Sequence, residues 1–230
     1  MNLTNAAISG VEMLIAFADR GHRTFFETNQ FPWVRTLETN WPAIRAEFDP
    51  LMRDRDRIPN FQDISPVQAG LTEGQQWKTF FLYAYGREIP ANCERCPETL
   101  RLLKCIPGMT TAMFSILAPG KHIPAHRGPY NGVLRYHLGL IVEGAPLACR
   151  IRVGQTVRRW REGKSLIFDD SHDHEAWNDS NCYRVVLFVD FVRPLRFPLS
   201  LVNRLAIWAI SRSDLVQDGF KALRGKGERP

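Results

Sequence analysis

The segment GVLRYHLGLIV (residues 132–142) is apolar except for two side chains, Arg135 and His137. Successive side chains of a β-strand point to opposite faces, so these two polar groups, two residues apart, share one face of a strand. A polar face is unusual in a segment that is otherwise so apolar. The segment therefore predicts a core strand that presents a cation and an imidazole on one side.

This segment is one of a series of short apolar stretches that follow one another from Met109 onward. Each stretch is bounded by Gly, Pro, Asn or Asp, the residues typical of turns. The other members are AMFSILA (112–118), LACRIRV (147–153), QTVRRWR (155–161), SLIFDD (165–170), EAW (175–177) and YRVVLFVDFV (183–192). Many short strands at this spacing favour a jelly roll over a parallel α/β sheet. We therefore predict a mainly β protein whose core is a double-stranded β-helix (jelly roll), with a hairpin at Gly154.

Helical segments are predicted on both sides of this core. Apolar spacing indicates helices over residues 3–19 and from about Pro42 to Met52, with FFETNQFPWV (25–34) as a connection. The chain after Pro198 has apolar and basic residues at helical spacing, which predicts one or two amphipathic helices. We interpret residues 1–230 as a single domain. Its parts are a helical N-terminal flank (1–76), a jelly-roll core (77–194) and a basic amphipathic C-terminal tail (195–230).

Composition places the chain among globular proteins and argues against a nucleic-acid-binding or membrane-spanning protein. It is 44% hydrophobic and 23% charged, and its 230 residues are enough to bury a core. Residues 193–230 hold eight Lys/Arg and three Asp/Glu, so +5 of the formal net charge of +6 lies there. The nearly neutral body argues against nucleic acid as a partner. Without a signal-peptide pattern or a stretch of about 20 apolar residues, the sequence predicts a cytoplasmic protein, with peripheral contact at the inner face of the cytoplasmic membrane as an option for the tail.

The five cysteines predict thiols rather than a disulfide framework. An odd count without an export signal is typical of reduced cysteines in the cytoplasm. Cys93 and Cys96 have the spacing of a zinc half-site, but no second Cys/His pair follows at the spacing of a zinc ribbon. We therefore interpret them as structural, with a metal role or a disulfide under oxidation as alternatives.

Five of the six histidines fall between residues 122 and 174, inside the predicted β core. His126 lies at the entry to a strand, and His174 lies in DDSHDHEAWN (169–178), just before the last long strand. A jelly roll places strands that are distant in sequence side by side, so both imidazoles can face one cavity. Imidazole ligands suit Fe(II), which oxygenases bind with two His and usually one carboxylate. The position of that carboxylate, two residues after the first His, is Gly128 here. His122 and His172 are interpreted as structural.

Arg184 begins the final strand, within an otherwise apolar run. A buried guanidinium needs an anionic partner and binds a carboxylate through two parallel hydrogen bonds. Two interpretations stay open. Arg184 binds a small diacid, or it forms a salt bridge with Asp169, Asp170 or Asp190.

Three segments together resemble the aspartyl/asparaginyl β-hydroxylase family of Fe(II)/2-oxoglutarate-dependent oxygenases, and a bacterial member in particular. They are FSILAPGKHIPAHRGPYNGVLRYHLGLIV (114–142), EGKSLIFDDSHDHEAWND (162–179) and RVVLFVDFVRP (184–194). The resemblance covers residues 77–194, and a weaker similarity in LETNWPAIRAE reaches back to Leu37.

The resemblance implies a role for individual residues. His126 and His174 match the two iron ligands, and Gly128 matches a glycine that eukaryotic members also have, which leaves a coordination position for water. Ser115 and Arg184 match the pair that holds the distal carboxylate of 2-oxoglutarate. Arg135 and His137 match residues near its metal-chelating end. The implied cofactors are Fe(II), 2-oxoglutarate as cosubstrate and O2, and the implied reaction is dioxygenase hydroxylation of an unactivated C–H bond with decarboxylation of 2-oxoglutarate to succinate and CO2.

The resemblance leaves the substrate open. Some members hydroxylate Asp or Asn side chains of proteins, and bacterial members hydroxylate the 2-position of acyl chains in lipid A or ornithine lipids. Residues 198–226 favour the lipid, because a basic amphipathic helix binds an anionic membrane surface, although such a helix also packs on its own domain or on a second copy. Gly128 argues the other way, because the lipid hydroxylases often have Asp there. A free amino acid or small peptide as substrate, a halogenase, and a non-catalytic jelly-roll binding module are further alternatives.

Overall fold

The structure is a computed structural model that describes residues 3–18, 23–64, 70–72, 74–213, 216–217, 219–220 and 223. The helices are Leu3–Ala18 (α1), Trp33–Thr39 (α2), Trp41–Arg53 (α3), Pro90–Cys93 (α4), Pro97–Leu103 (α5) and Leu199–Ile210 (α6). The strands are Phe25–Phe26 (β1), Trp77–Ala84 (β2), Arg87–Glu88 (β3), Met109–Leu117 (β4), His122–His126 (β5), Val133–Ile141 (β6), Cys149–Val153 (β7), Thr156–Arg159 (β8), Ser165–Phe168 (β9), His174–Asn178 (β10) and Arg184–Val192 (β11).

The strands form two antiparallel sheets. A seven-stranded sheet has the order β1-β9-β6-β11-β4-β2-β3, and a four-stranded sheet has the order β5-β10-β7-β8. The hairpin β7–β8 turns at Gly154, whose φ of +57° is a left-handed conformation that glycine adopts without strain. Two facing antiparallel sheets with strands that are distant in sequence paired in each confirm the predicted jelly-roll core.

Strand β11 lies in the middle of the large sheet, and both of its faces are buried. It pairs with β4 on one side and β6 on the other, so its alternate side chains contact two different layers. Val185 and Leu187 pack with helical residues such as Phe48, whereas Val186 and Phe188 pack toward the small sheet. A polar side chain on the inner face of the large sheet therefore faces the small sheet, which carries His126 and His174.

The N-terminal flank contains one helix that the sequence interpretation missed. Residues 25–34 were predicted to be a connection, but β1 and the start of α2 lie within them. Helix α2 has only seven residues, and Val34 and Leu37 pack on the large sheet. A helix this short leaves almost no periodic signal and is stabilised by tertiary packing. The predicted helix near Pro42–Met52 is confirmed as α3.

Helices α1 and α6 pack against one another beside the β5–β6 loop. Ile15 of α1 and Ala206 of α6 are buried together with Tyr130 of that loop. Helix α6 confirms a helix after Pro198, although part of the predicted tail segment 198–226 lies outside the described residues. Within the described part of the chain, none of the helices has the length and apolarity needed to cross a membrane.

Candidate active site

His126 and His174 lie directly opposite each other in the small sheet. The two residues are Cα partners in the antiparallel pairing of β5 with β10, and their ring centroids are 4.1 Å apart. The pairing joins segments 48 positions apart in sequence. The structure therefore brings together the two imidazoles that the sequence singled out.

Backbone hydrogen bonds orient both imidazoles in the same way. Nδ1 of His126 lies 2.8 Å from the carbonyl oxygen of Pro124, and Nδ1 of His174 lies 2.9 Å from that of His172. A carbonyl only accepts, so Nδ1 carries the proton in each ring and Nε2 keeps a free lone pair. Burial lowers the pKa of His126, and it lowers the pKa of His174 to about 3 with a further contribution from His126. Both rings are neutral at physiological pH, the state in which imidazole binds a metal.

The carboxylate of Asp170 fills the space that a side chain at Gly128 would enter. A Cβ atom placed on Gly128 would lie 2.1 Å from Oδ2 of Asp170. The two residues are also joined through the backbone, where Gly128 N–H donates to the Asp170 carbonyl at 2.7 Å. The space beside Gly128 is thus occupied by the side chain of an acid 42 positions further along the chain.

Arg135 links Asp170 to a second acid on the large sheet. Its Nη2 atom lies 2.8 Å from Oδ2 of Asp170, and its Nε atom donates to Oδ1 of Asp190 at 2.8 Å. Burial raises the pKa of Asp170 to about 6, and Arg135 opposes that shift. Arg135 is therefore held by two acids close to the histidine pair.

Arg184 is fully buried and has no carboxylate partner among the described residues. Its guanidinium carbon lies 4.5 Å from the centroid of the Trp160 ring, and Nη1 lies 3.5 Å from the carbonyl oxygen of Ser115. Its Nε atom is buried and finds no acceptor among the residues that the structure describes, and burial lowers the pKa of Arg184 to about 9.

The acids that the salt-bridge interpretation assigned to Arg184 are bound elsewhere. Asp169 pairs with Arg193, and Asp170 and Asp190 pair with Arg135. A buried cation without a counter-ion is unfavourable, so the alternative in which Arg184 binds a small acid explains the geometry better.

Trp160 also fixes the protonation of His137. The indole Nε1–H donates to Nδ1 of His137 at 3.2 Å, so the proton of this buried ring lies on Nε2. That Nε2 atom has no partner among the described residues. Burial and two neighbouring guanidinium groups lower the pKa of His137 well below its usual value, so the ring is a neutral donor. His137 and Arg184 thus both offer unused donors beside one indole ring.

Ser115 lies next to this pair. Its hydroxyl oxygen accepts a hydrogen bond from the indole of Trp77 at 3.1 Å, which leaves its own proton free to donate. Asn178, the last residue of β10, is fully buried and donates to the carbonyl oxygens of Ala118 and Cys182 at 2.9 and 2.8 Å. These bonds position the turns next to Ser115 and Arg184.

The remaining candidates of the sequence lie outside this site. His122 pairs with Glu175 at 3.0 Å and stacks on Trp177, which agrees with its structural interpretation. Cys93 and Cys96 are free thiols buried beneath the helices, and burial raises the pKa of Cys96 to about 12. Within the described ranges, no group of three His, Cys, Asp or Glu side chains is arranged to hold a metal ion. The histidine pair is therefore a two-ligand arrangement.

A cleft of about 430 Å³ leads outward from His126, Arg135 and Asp170. Most of the side chains along it are apolar. They include Phe61, Phe81, Met113, Val133, Phe188 and Ile207. Helix α6 contributes one wall near the mouth, where Arg204 and Trp208 line the cleft. The cleft therefore offers an apolar molecule a path to His126.

Two functional candidates were missed from the sequence. Asp170 was considered only as a partner for Arg184, although its position four residues before His174 is a signal that it lies near the same strand end. Trp160 carried no signal beyond its place in a predicted hairpin, because its contacts with His137 and Arg184 arise only when the two sheets face one another.

Fold and site together define a jelly-roll protein with two facing histidines, a buried unpaired arginine and an apolar cleft. The model of the aspartyl/asparaginyl β-hydroxylase family matches residues 38–194. The chain therefore belongs to the aspartyl/asparaginyl β-hydroxylase family and is a hydroxylase.

Two relatives illustrate the range of the family. The chain is 49% identical over 196 residues to the ornithine lipid ester-linked acyl 2-hydroxylase of Rhizobium tropici, a match that covers 85% of this chain and 68% of that protein. It is 37% identical over 175 residues to human aspartyl/asparaginyl β-hydroxylase, a match that covers 73% of this chain but only 22% of the human protein. Among solved structures, the cupin domain of an XRE family transcriptional regulator from Enterobacter cloacae covers 52% of this chain and 99% of its own, at 14% identity and a TM-score of 0.37.

Proposed function

We propose that this chain is an Fe(II)- and 2-oxoglutarate-dependent dioxygenase that hydroxylates the acyl chain of a membrane lipid. The observation that supports 2-oxoglutarate as the cosubstrate is Arg184, a fully buried guanidinium without an acidic partner among the described residues. A small diacid supplies the missing negative charge. The apolar cleft and the similarity to a lipid hydroxylase support the choice of substrate.

The residues at the histidine pair fit Fe(II). His126 and His174 are neutral, and each directs an unprotonated Nε2 atom away from the carbonyl that its Nδ1 atom contacts. Asp170 adds a buried carboxylate next to Gly128. Two neutral imidazoles are ligands that non-haem iron accepts, and they leave positions open for other ligands, while Asp170 is paired with Arg135.

The residues beside Trp160 fit 2-oxoglutarate. Arg184 and the hydroxyl of Ser115 would hold the distal carboxylate, since both have donors to spare. His137, with its free Nε2–H, and Arg135 would lie toward the end of the molecule that chelates the metal. Each of these side chains is positioned by a bond to another residue, so the site is organised before the cosubstrate enters.

Together with O2, Fe(II) and 2-oxoglutarate supply the oxidising chemistry that places a hydroxyl group on an unactivated carbon while succinate and CO2 are released. The protein binds and orients the reactants, and it excludes water from the site. Arg135 is neutralised by Asp170 and Asp190. Phe168 and Phe188 pack against His137 with ring centroids 5.0 Å away. This aromatic packing excludes water from the surroundings of His137.

An acyl chain is the substrate that the cleft supports best. The lining is mostly apolar from His126 to the mouth, where Arg204 places a cation. Apolar walls bind a hydrocarbon, and a cation at the mouth suits a polar, negatively charged head group. The relative from Rhizobium tropici is named for hydroxylation at the 2-position of an ester-linked acyl chain. Hydroxylation of Asp or Asn side chains, the activity named for the human relative, is the second candidate.

The test is anaerobic loading of the protein with Fe(II) and 2-oxoglutarate, followed by exposure to oxygen with ornithine lipids, lipid A and Asp/Asn peptides. We expect succinate in equal amount to a lipid product that is one oxygen atom heavier. His174→Ala should abolish both, whereas His122→Ala, at a histidine outside the site, should leave both intact. Hydroxylated peptide without hydroxylated lipid would overturn the proposal that the substrate is a lipid. A chlorinated product would indicate a halogenase, and absence of succinate with every substrate would overturn the reaction class.

A further inference from the structure

We propose that helices α1 and α6 form a docking surface for an anionic phospholipid bilayer and hold the mouth of the cleft against it. The docking surface consists of the exposed apolar side chains Met13, Leu14, Phe17, Leu201, Leu205 and Trp208. The inference rests on the proposed function, because it assumes that the acyl chain enters the cleft from a membrane.

Helix α1 contributes a ridge that its packing does not require. Its inner side buries Ile15 against Tyr130 and Ala206. Met13 and Phe17, one helical turn apart, are 71% and 86% exposed. Single exposed apolar residues are ordinary, but adjacent large ones on one helix indicate an interaction surface.

Helix α6 also exposes large apolar side chains on its outer side, and it borders the cleft. Its inner side buries Asn203 and Ala206, while Leu201, Leu205 and Trp208 recur on the outside at spacings of four and three residues. Trp208 is 56% exposed and also lines the cleft. The docking surface therefore begins where the cleft opens.

Both helices are bonded to the loop that follows His126. The side-chain amide of Asn131 donates to the backbone carbonyl of Glu12 in α1 at 2.9 Å, and the amide of Asn203 in α6 donates to the carbonyl of Gly132 at 2.8 Å. The same loop contains Gly128, which contacts Asp170. A surface that binds to a bilayer through these helices is thus joined directly to the candidate iron site.

Charge favours a bilayer over a second copy of the chain as the occupant. Residues 196–213 hold Arg196, Arg204 and Arg212 and no Asp or Glu, and Arg212 stacks over the Trp208 ring with its guanidinium carbon 3.8 Å from the centroid. Two copies joined through this surface would bring two basic segments together, which costs free energy. Anionic head groups instead neutralise them, and Trp and Arg are typical of the water–lipid boundary.

The experiment is sedimentation of the full chain with vesicles of phosphatidylcholine alone or with 30% phosphatidylglycerol, without iron or 2-oxoglutarate. The variants are Met13→Ser with Phe17→Ser in α1, and Leu201→Ser with Leu205→Ser in α6. The matched control is Val157→Ser, an exposed apolar side chain on β8. All of these side chains are at the surface, so the substitutions should leave the fold intact.

We expect binding to anionic vesicles that salt weakens, at least a tenfold loss of binding in each double variant, and no change in the control. Protein that stays in the supernatant with anionic vesicles, or double variants that bind like the wild type, would overturn the proposal. So would a dimer in gel filtration that the same substitutions dissociate. Because the assay needs no turnover, its failure leaves hydroxylation untouched, and a failed hydroxylation assay leaves vesicle binding to be judged separately.

Discussion

Gly128 and Asp170 share a space that holds only one side chain. Oδ2 of Asp170 would lie 2.1 Å from a Cβ atom at position 128, and the Gly128 N–H donates to the Asp170 backbone carbonyl. The glycine is therefore required by its neighbour, because a side chain at position 128 would overlap the carboxylate of Asp170.

This relationship predicts the effect of restoring the familiar motif. Gly128→Asp should destabilise the fold by about 1–3 kcal/mol through overpacking, with added repulsion between two buried carboxylates, and should reduce turnover. The double variant Gly128→Asp with Asp170→Gly should recover most of the stability, because the carboxylate then has the space to itself. Urea unfolding of the metal-free wild type, both single variants and the double variant gives the free energies of unfolding to compare. Additive losses in the double variant would show that the two side chains do not compete.

Arg184 should show opposite effects on ligand binding and on stability. Arg184→Met removes the only charge proposed to hold the distal carboxylate, so affinity for 2-oxoglutarate should fall at least 100-fold, about 2.7 kcal/mol. The same change removes a buried cation without an acidic partner, so the free energy of unfolding without ligand should rise by about 1–3 kcal/mol. Calorimetry and urea unfolding test the two effects, with Arg158→Met on the exposed strand β8 as the control. A stability loss would show instead that Arg184 has a structural partner.

His174 should make the metal-free protein sensitive to acid. Its pKa is lowered to about 3 in the fold by burial and by His126, whereas the unfolded chain takes up the proton near pH 6.5. The unfolded state therefore binds more protons between those values, and stability falls as the pH drops below 6.5. Between pH 7 and pH 5 this residue should cost about 2 kcal/mol.

The variant His174→Gln isolates that contribution. Urea unfolding at pH 7 and pH 5, with a chelator present, should show a smaller loss of stability in the variant than in the wild type. Asp170 and the other acids titrate in both proteins, so their contributions cancel in the comparison. An equal loss in the two proteins would contradict the lowered pKa.

Asn203 should be required for the order of the loop between Gly128 and Gly132. Its side chain accepts from the hydroxyl of Tyr130 at 2.8 Å and donates to Gly132, and it is fully buried. Asn203→Ala leaves both partners unsatisfied and should cost about 2–4 kcal/mol, whereas Tyr130→Phe removes one bond and should cost about 1 kcal/mol. Hydrogen exchange of residues 127–132 should accelerate more in the first variant. Unchanged exchange in both would mean that α6 does not hold this loop.

The sequence alone established which side chains share a face. Strand side chains alternate with a period of two, a local rule that needs no knowledge of the tertiary structure. It placed Arg135 and His137 on one face, and the pairing of β6, β11 and β4 confirms a common face that also includes Arg184 and Ser115. The jelly roll followed in the same way, from short apolar segments that end at turn residues. The family resemblance over residues 77–194 agrees with the match over residues 38–194.

Other features were decided only by the tertiary structure, because they depend on which charges and cavities meet across two sheets. The sequence could not tell whether Asp169, Asp170 or Asp190 neutralises Arg184; in the structure none of them does, since other arginines lie closer to each acid. Nor could it show that Asp170 occupies the space beside Gly128. Strand periodicity specifies where a side chain points, but a buried charge takes its partner from whatever the packed sheets bring within reach, and that is set by the whole fold.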